Sequence, residues 1–351
     1  MIKVGILGAT GTVGQRFVSL LDNHPWFKVT ALCASENSAG KSYGEVMQSR
    51  WKLSSAVPKY AASMVVRQCT PDIDCDLVFS ALDSAVAGEI EQQFAKAGYA
   101  VSSNSRNHRM EPDVPLVIPE VNADHLSQIE FQKKSRKWTG FIMTNPNCST
   151  IHMALALKPI QDSFGIEKVM VTTMQAISGA GYPGVPSMDI LDNVVPFIGG
   201  EEEKIESETR KILGKVSSGK IQSASMVVSA SCNRVAVSDG HTESVSVKLS
   251  KKSSEKSIAD SMSKFNPLLK FGLPSSPLKP IVVMSEPDRP QPRLDRNLEK
   301  GMASVVGRIR KCNVLDYKFT VLGHNTVRGA AGAAILNAEL LKVKGFLKGD
   351  F

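Results

Sequence analysis

One cysteine interrupts the polar stretch TNPNCSTIHM, which covers residues 144–153. An Asn-Pro turn precedes Cys148, and the apolar residues Ile151 and Leu155 follow it at helical spacing, so the pattern predicts that Cys148 begins a helix. The N-terminus of a helix lowers the pKa of a thiol, and the resulting thiolate is a nucleophile. We therefore predict a catalytic Cys148; an ordinary buried cysteine near a domain junction is the alternative.

A cysteine nucleophile needs a general acid/base, and the six histidines are the candidates. His241 lies in CNRVAVSDGHTESVSV, between two strand-like segments and directly after Gly240. A turn at this glycine directs the ring into a cleft, with Arg234 seven positions earlier. We predict His241 as the acid/base, against the alternative of a structural histidine.

A glycine-rich turn near the start of the chain predicts a nucleotide site. An apolar strand over residues 2–7 runs into GATGTVG, a helical pattern follows, and a second strand covers residues 28–34. This order is typical of the dinucleotide-binding unit, where backbone N–H groups at a helix N-terminus hold a pyrophosphate. The predicted cofactor contacts are Gly8, Thr10, Gly11, Thr12 and Val13; a tight turn without a ligand is the alternative.

Alternating strands and helices continue to about residue 145, with predicted strands that include residues 115–121. Beyond Cys148 longer strand-like segments dominate, among them residues 234–239, and the chain closes with a Gly/Ala-rich helix. The predicted fold class is α/β, with an N-terminal Rossmann-like dinucleotide-binding domain followed by an α+β domain. A cysteine beside such a domain suits an oxidoreductase that forms a thioester and exchanges a hydride with nicotinamide.

Composition and charge limit the ligands and the cellular location that we expect for this protein. The 351 residues carry 42 Lys and Arg against 34 Asp and Glu, and the pI is near 9.1. The positive charges are dispersed and accompany no nucleic-acid-binding motif, so we expect anionic small-molecule ligands and no nucleic acid. No apolar run could span a membrane, and the start of the chain lacks the features of a secretory signal, so a cytoplasmic location is expected. The six cysteines form no CxxC pair, which argues against a metal site and against a disulfide framework.

Several motifs together identify a family. They are GATGTVG, PEVN at 119–122, NPNCST around the cysteine, QAISGAGYPG at 175–184, EEEK at 201–204, RVAVSDGHTE at 234–243 and the closing Gly/Ala-rich helix. Through nearly its full length the chain resembles the aspartate-β-semialdehyde dehydrogenases, specifically the branch found in archaea and fungi. NPNCST fits neither the Ser-Cys-Thr-Thr-Asn pattern of glyceraldehyde-3-phosphate dehydrogenases nor the Gly-Cys-Tyr-Pro-Thr pattern of acetylglutamyl-phosphate reductases.

The resemblance implies NADPH-dependent reductive dephosphorylation of L-aspartyl-4-phosphate to L-aspartate 4-semialdehyde through a cysteine thioester. This reaction lies on the route to lysine, methionine and threonine. The resemblance also implies roles for six further residues: Gln175 orients the acyl intermediate, Arg234 binds the substrate carboxylate, Glu201 meets the ammonium, and Arg109, Lys204 and Asn147 bind phosphate. Because three glutamates follow each other at 201–203, it stays open which of them meets the ammonium.

The family also implies domains and partners. Residues 1–145 form the NADP-binding domain, the C-terminal helix 329–351 packs back on it, and residues 146–328 form the catalytic and dimerisation domain. The expected partners are the small-molecule substrate, inorganic phosphate and further copies of the chain, in a homodimer or homotetramer.

NADP is the predicted cofactor, with use of NAD left open. Small polar and basic residues after the second strand accept the 2′-phosphate of NADP, and here these are Ser35, Ser38 and Lys41. Glu36 departs from this pattern because its charge would repel that phosphate. By the resemblance, Ser178, Gly179 and Asn325 line the nicotinamide and phosphate region.

Three alternatives stay open at this point. Malonyl-CoA reductase is a related activity that uses the same cysteine chemistry, although an arginine for a carboxylate and an acid for an ammonium favour the amino-acid substrate. A cysteine hydrolase would use Cys148 and His241 without nicotinamide. A dinucleotide-binding sensor would bind NADP and a partner protein and turn nothing over.

Overall fold

A computed structural model of the chain describes residues 1–217 and 219–347. Its first half is built on a six-stranded parallel sheet with the order β3-β2-β1-β4-β5-β6. The strands are β1 (Ile2–Leu7), β2 (Phe27–Cys33), β3 (Val66–Arg67), β4 (Leu77–Ser80), β5 (Ala100–Ser103) and β6 (Phe141–Thr144). The strand order reverses between β1 and β4, which is the point where doubly wound sheets bind ligands.

Helices connect these parallel strands. They are α1 (Thr12–Leu20), α2 (Tyr43–Met47), α3 (Lys59–Ala62), α4 (Ser84–Lys96), α5 (Pro119–Asn122) and α6 (Gln128–Arg136). Hydrophobic side chains fill the space on both faces of the sheet, as the near-continuous apolar strands require. The predicted α/β fold class is confirmed.

The predicted strand over residues 115–121 is wrong. Leu116 forms one isolated bridge to Thr144 of β6, and α5 then begins at Pro119. Proline has no backbone N–H and its φ angle suits the first turn of a helix, so the extended segment ends there.

A seven-stranded mixed sheet, with the order β13-β14-β15-β12-β7-β11-β8, organises the second half. Its strands are β7 (Ile166–Gln175), β8 (Val194–Val195), β11 (Val227–Val235), β12 (His241–Leu249), β13 (Ile281–Val283), β14 (Ser304–Lys311) and β15 (Tyr317–Gly323). A small hairpin pairs β9 (Lys215–Ser217) with β10 (Lys220–Gln222). The helices are α7 (Cys148–Phe164), α8 (Ser187–Ile190), α9 (Glu201–Ile212), α10 (Glu255–Ser263), α11 (Pro292–Asp295) and α12 (Gly332–Val343).

The predicted strand over residues 234–239 is wrong for most of its length, because β11 ends at Val235. The strand lies earlier, where Val228, Ala230 and Cys232 alternate with more exposed residues. Small polar residues on its outer face weaken the strand pattern in the sequence.

The C-terminal helix returns to the first sheet. Leu336, Leu340 and Leu341 of α12 belong to the same buried cluster as Ile6 and Phe79 of the first sheet. A separate cluster joins the inner face of the second sheet to α7, α9 and α10. The predicted helix over residues 329–351 begins as a π-helical turn, Val327–Ala331, and continues as α12; positions 348–351 lie outside the described residues.

Among the described residues, none of the helices has both the length and the apolar character that crossing a membrane requires.

Candidate active site

Cys148 is the first residue of α7, which follows β6 at the carboxyl edge of the parallel sheet. Asn147 is the N-cap: its Oδ1 accepts hydrogen bonds from the N–H groups of Ser149 and Thr150, at 3.0 and 3.2 Å. Cys148 remains partly exposed, so it is not sealed in the core. The glycine turn after β1 lies at the same edge of the sheet.

His241 contacts the cysteine directly. Its Nε2 lies 3.1 Å from Cys148 Sγ, and its Nδ1 accepts a hydrogen bond from the Ala176 N–H at 3.0 Å. The neutral ring therefore carries its proton on Nε2, facing the sulfur. Proton acceptance through Nε2 requires the other tautomer and loss of the Ala176 contact.

The prediction of a thiolate with a lowered pKa is wrong for this resting site. Burial of the sulfur raises the pKa of Cys148 to about 12, and the Glu201 carboxylate adds to the effect, against the opposing charges of Lys204 and Arg109. Burial also lowers the pKa of His241 to about 3, helped by the nearby positive charge of Arg234. Desolvation disfavours the charged form of both groups. The resting pair is a neutral thiol beside a neutral imidazole.

Glu201 lies at the centre of a buried polar cluster. Its Oε1 accepts hydrogen bonds from Asn147 Nδ2 at 2.7 Å and from Gln175 Nε2 at 3.1 Å, and its Oε2 pairs with Lys204. Burial alone would raise the pKa of this carboxyl, but the Lys204 ammonium and the amide donors lower it. Glu201 is therefore ionised at neutral pH.

The three consecutive glutamates have different surroundings. Glu201 faces the cluster, Glu202 accepts a hydrogen bond from the Cys232 N–H, and Glu203 is exposed. The orientation of α9 therefore turns Glu201, and neither of the next two glutamates, toward the site.

Two arginines approach the cysteine from different elements. Arg234, at the end of β11, donates from Nη1 to the Ala176 carbonyl at 2.8 Å and is 6% exposed. Arg109 follows β5 and donates to Glu208 Oε1 at 2.9 Å and to the Asn104 carbonyl at 2.7 Å. Both guanidinium groups keep further N–H donors that a substrate could use.

The glycine turn has the shape that a pyrophosphate requires. A Cβ atom added to Gly14 would lie 2.1 Å from the Gly8 carbonyl oxygen, so this glycine lets helix and turn pack closely. A Cβ on Gly11 would meet only the Gly8 oxygen, at 3.5 Å, and would otherwise project into open space. Gly11 is also the N-cap of α1 and provides no side-chain cap. The first N–H groups of α1, from Thr12 and Val13, are thus available to an anion, and the turn fits a dinucleotide.

The loop after β2 contains the groups predicted for the 2′-phosphate. Ser35 and Lys41 are exposed, and Lys41 Nζ donates to the Asn37 carbonyl at 3.2 Å. Ser38 is 1% exposed and its hydroxyl is shielded from solvent. Ser35 and Lys41 are therefore the predicted groups that can reach a phosphate without rearrangement, with Glu36 exposed beside them.

Ser178, Gly179 and Asn325 come together near the cysteine and its histidine. A Cβ atom on Gly179 would lie 2.8 Å from Arg234 Nη1 and 2.9 Å from His241 Cε1, so the backbone passes directly over both side chains. Asn325 Nδ2 donates to Ser178 Oγ at 2.8 Å, and its Oδ1 accepts from the Gly240 N–H at 2.9 Å. Asn325 thereby fixes the turn that precedes His241. Thr10 lies within the glycine turn, where its carbonyl accepts a hydrogen bond from Gln15.

The sequence reasoning missed three participants. Ala176 contacts both His241 and Arg234 through its backbone, and a Cβ on Gly329 would lie 2.8 Å from Cys148 Cβ. Glu208 accepts hydrogen bonds from Arg109 and from the Asn147 N–H. Only Glu208 had a sequence signal, because it follows Glu201 by seven residues and so lies on the same face of the helix.

Comparison with known proteins identifies the family. Residues 3–129 match the semialdehyde dehydrogenase NAD-binding domain, and residues 157–328 match the semialdehyde dehydrogenase dimerisation domain. The chain is 56% identical to an aspartate-semialdehyde dehydrogenase of Archaeoglobus fulgidus, over 97% of each chain. It is 54% identical to one of Schizosaccharomyces pombe, over 98% of this chain and 99% of the relative.

A solved structure agrees with these relatives. The crystal structure of aspartate-semialdehyde dehydrogenase with NADP from Candida albicans superposes with a TM-score of 0.91 at 45% identity, over 99% of this chain and 100% of that one. The predicted resemblance to the archaeal and fungal enzymes is confirmed. The chain belongs to the aspartate-semialdehyde dehydrogenase family.

Proposed function

We propose that this protein is an NADPH-dependent aspartate-semialdehyde dehydrogenase. It converts L-aspartyl-4-phosphate to L-aspartate 4-semialdehyde and releases phosphate, on the route to lysine, methionine and threonine. One observation carries the assignment of the chemistry: Cys148 Sγ lies 3.1 Å from His241 Nε2 at the sheet edge that also bears the glycine turn.

The residues of the turn fit a dinucleotide, and NADP is the cofactor we assign. Gly8, Gly11 and the first N–H groups of α1 would hold its pyrophosphate, while Ser35 and Lys41 would meet the 2′-phosphate. When bound, NADPH supplies the hydride of the reaction. Gly179 lets the turn that would line the nicotinamide pack directly against His241, because a Cβ atom at this position would lie 2.9 Å from His241 Cε1.

Cys148 forms the covalent bond to substrate. Its sulfur attacks the acyl phosphate carbon, phosphate leaves, and the acyl group is held as a thioester. The thiol must lose its proton for this step, and His241 is the titratable side chain within hydrogen-bond reach of the sulfur. Its Nε2 can take that proton once the ring has adopted the tautomer with the proton on Nδ1, which gives up the hydrogen bond from the Ala176 N–H. After hydride addition, Nε2–H can donate a hydrogen bond to the oxyanion of the tetrahedral adduct. The C–S bond then breaks as the C=O bond of the aldehyde forms, and Nε2 returns its proton to the leaving sulfur.

Charged groups around the cysteine match the ends of the substrate. The Arg234 fork suits the α-carboxylate, and Glu201, the ionised partner of Lys204, suits the ammonium. Arg109, Lys204 and Asn147 would bind the phosphate group, and Gln175, held by Glu201, would orient the acyl group. Since Glu201 already pairs with Lys204, substrate binding would redistribute these contacts.

We propose that copies of the chain associate, as a homodimer or a homotetramer. The outer face of the second sheet exposes apolar side chains, including Met170, Met174 and Val227. The segment nearby adds Met188 and Phe197, which are 86% and 70% exposed. Apolar surface of this extent supports association between copies of the chain.

The domain division predicted from the sequence is retained as part of the proposal: residues 1–145 with the C-terminal helix bind NADP, and residues 146–328 carry catalysis and dimerisation. The first sheet has a buried cluster on each of its two faces, and the second sheet has a cluster of its own, which supports this division. A cytoplasmic location is also proposed, which the six free thiols support because disulfides are rare there. Malonyl-CoA reductase is not favoured as the activity, since the relatives at 54–56% identity are named aspartate-semialdehyde dehydrogenases.

One assay tests the function. Purified protein is incubated with aspartate semialdehyde, NADP and inorganic phosphate, and the absorbance of the reduced cofactor is followed. We expect phosphate-dependent formation of NADPH, which Cys148→Ser abolishes while the affinity for NADP is kept. Substrate hydrolysis without nicotinamide would instead support a cysteine hydrolase. If the wild-type protein binds NADP but turns nothing over, the alternative of a dinucleotide-binding sensor would be supported.

A further inference from the structure

Helix α9 turns one continuous face toward the site. Glu201, Lys204, Glu208 and Lys211 follow each other at spacings of three or four residues, so they line one side of the helix. The first two belong to the substrate groups proposed above. The other two lie one and two turns deeper, with 1% and 4% exposure.

Glu208 links two parts of the site through its two oxygens. Oε1 accepts a hydrogen bond from Arg109 Nη1 at 2.9 Å, and Oε2 accepts one from the Asn147 N–H at 2.7 Å. Asn147 immediately precedes the cysteine and caps its helix. A single buried carboxylate thus fixes both the proposed phosphate-binding arginine and the backbone turn that carries the nucleophile.

Lys211 holds the loop that carries the same arginine. Its Nζ donates to the backbone carbonyls of Arg109, Glu111 and Val114, at 2.7, 2.8 and 2.8 Å. The loop backbone is therefore fastened to α9 independently of Glu208. Loss of the Glu208 carboxylate would free the Arg109 side chain while the loop itself stays attached.

Arg109 depends on Glu208 for its orientation. It is 8% exposed, and its second contact is the Asn104 carbonyl at 2.7 Å, while its Nε has no hydrogen-bond partner among the described residues. Glu208 is the side chain that forms an ion pair with this guanidinium. Without Glu208, the Asn104 carbonyl would be the one remaining hydrogen-bond partner of this guanidinium among the described residues, and a single contact leaves the group free to rotate.

We propose that Glu208 is a positioning residue for the phosphate of the substrate: it aims Arg109 and fixes the Asn147 turn, and it does not touch the substrate itself. This inference rests on the proposed function. Glu208 then affects the binding of inorganic phosphate or of the phosphoryl group of the substrate. It does not affect the binding of the aldehyde, for which we propose Arg234 and Glu201.

The test is Glu208→Gln in the oxidative assay, with Glu206→Gln as the matched control. Glu206 lies on the same helix and accepts a hydrogen bond from the Ala230 N–H at 3.0 Å, away from Arg109. We expect Glu208→Gln to raise the KM for inorganic phosphate about tenfold or more, the usual effect of losing a hydrogen bond to a charged group. The KM for the aldehyde should change less than about twofold, and the control should leave both constants within the same limit.

A second variant covers the case in which glutamine impairs folding. Glu208→Asp keeps the charge and shortens the side chain by one methylene, so it should recover part of the phosphate affinity. An equal rise in both KM values, an unchanged phosphate KM, or loss of folded protein in both variants would overturn the inference. Absence of phosphate-dependent turnover in the wild-type protein would contradict the proposed function instead, so the two failures can be told apart.

Discussion

His241 Nε2 lies 3.1 Å from Cys148 Sγ, although 93 positions separate the two residues in the chain. The contact joins the start of α7 to the start of β12. Because burial raises the pKa of the thiol to about 12 and lowers that of the imidazole to about 3, both groups are neutral at rest. We therefore expect that the cysteine is activated when the substrate binds and that the free enzyme holds no preformed ion pair.

Alkylation of Cys148 should accordingly be slow at neutral pH and should accelerate with pH. The thiolate is the reactive form, and below its pKa its fraction rises about tenfold per pH unit. We expect the rate with iodoacetamide to climb steadily from pH 6 to pH 9 without a plateau, measured on the Cys148 peptide by mass spectrometry. Cys312 is an internal reference, because the backbone N–H groups of Leu315 and Val314 lower the pKa of its thiol. A plateau for Cys148 near neutral pH would mean that the free enzyme does hold a thiolate.

His241→Ala should slow the hydride step by about two to four orders of magnitude, the usual contribution of a general acid/base. The reason is that no other titratable side chain hydrogen-bonds to the Cys148 sulfur among the described residues. Single-turnover absorbance of the reduced cofactor gives the rate. Affinity for NADP should be kept. His241→Gln is the informative comparison, since an amide can donate a hydrogen bond but cannot exchange a proton at this pH, and a glutamine variant near the wild-type rate would argue against acid/base catalysis.

The glycine turn offers a matched pair of substitutions. Gly14→Ala should lower the melting temperature, because its Cβ would lie 2.1 Å from the Gly8 carbonyl oxygen. Gly11→Ala should leave the melting temperature nearly unchanged, since its φ of −74° suits alanine and its Cβ meets no atom closer than 3.5 Å. Gly11 is the N-cap of α1, so its methyl group would project into the open space where we place the pyrophosphate. We expect the Kd for NADP to rise about tenfold, equivalent to about 1.4 kcal/mol. Unchanged cofactor affinity in Gly11→Ala would place the pyrophosphate elsewhere.

The buried carboxyl of Glu243 should make the stability of the folded protein depend on pH. It is fully buried on the same face of β12 as His241, and both its oxygens lack hydrogen-bond partners among the described residues. Burial raises its pKa well above the usual value of 4.5. The folded protein therefore keeps this proton at a pH where the unfolded chain has lost it. The free energy of unfolding is therefore unaffected by this group below pH 4.5. As the pH rises above 4.5, the free energy of unfolding falls by up to about 1.4 kcal/mol per pH unit.

Glu243→Gln removes this titration. The melting temperature of the variant relative to the wild-type protein should thus increase from pH 5 to pH 8, as measured by calorimetry. Glu36→Gln, at an exposed position, is the control and should show no such trend. A difference that stays constant across this range would show that Glu243 is ionised in the folded protein.

The glycine turn and two strands show which parts of the fold could be predicted from the sequence and which could not. The order of strand, glycine turn and helix is local, so β1 and α1 could be predicted from their own residues. The apolar run of residues 115–121 was predicted wrongly, because Pro119 starts a helix within it. At β11 the alternation of small polar residues did not distinguish a strand from a loop, and the predicted strand was placed too late.

The residue types and their local settings follow from the sequence: a cysteine at a helix start, a glycine turn between a strand and a helix, and a histidine after Gly240. Helix, turn and strand signals depend on neighbours within a few positions, and so a single sequence contains them. Three properties of the site depend on the folded chain: Glu201 faces the cluster, Glu208 holds Arg109, and burial favours the neutral forms of the thiol and the imidazole. These properties depend on distances and burial created by residues far apart in the chain. Desolvation in particular is set by the packed surroundings of a group, which its sequence neighbours do not specify.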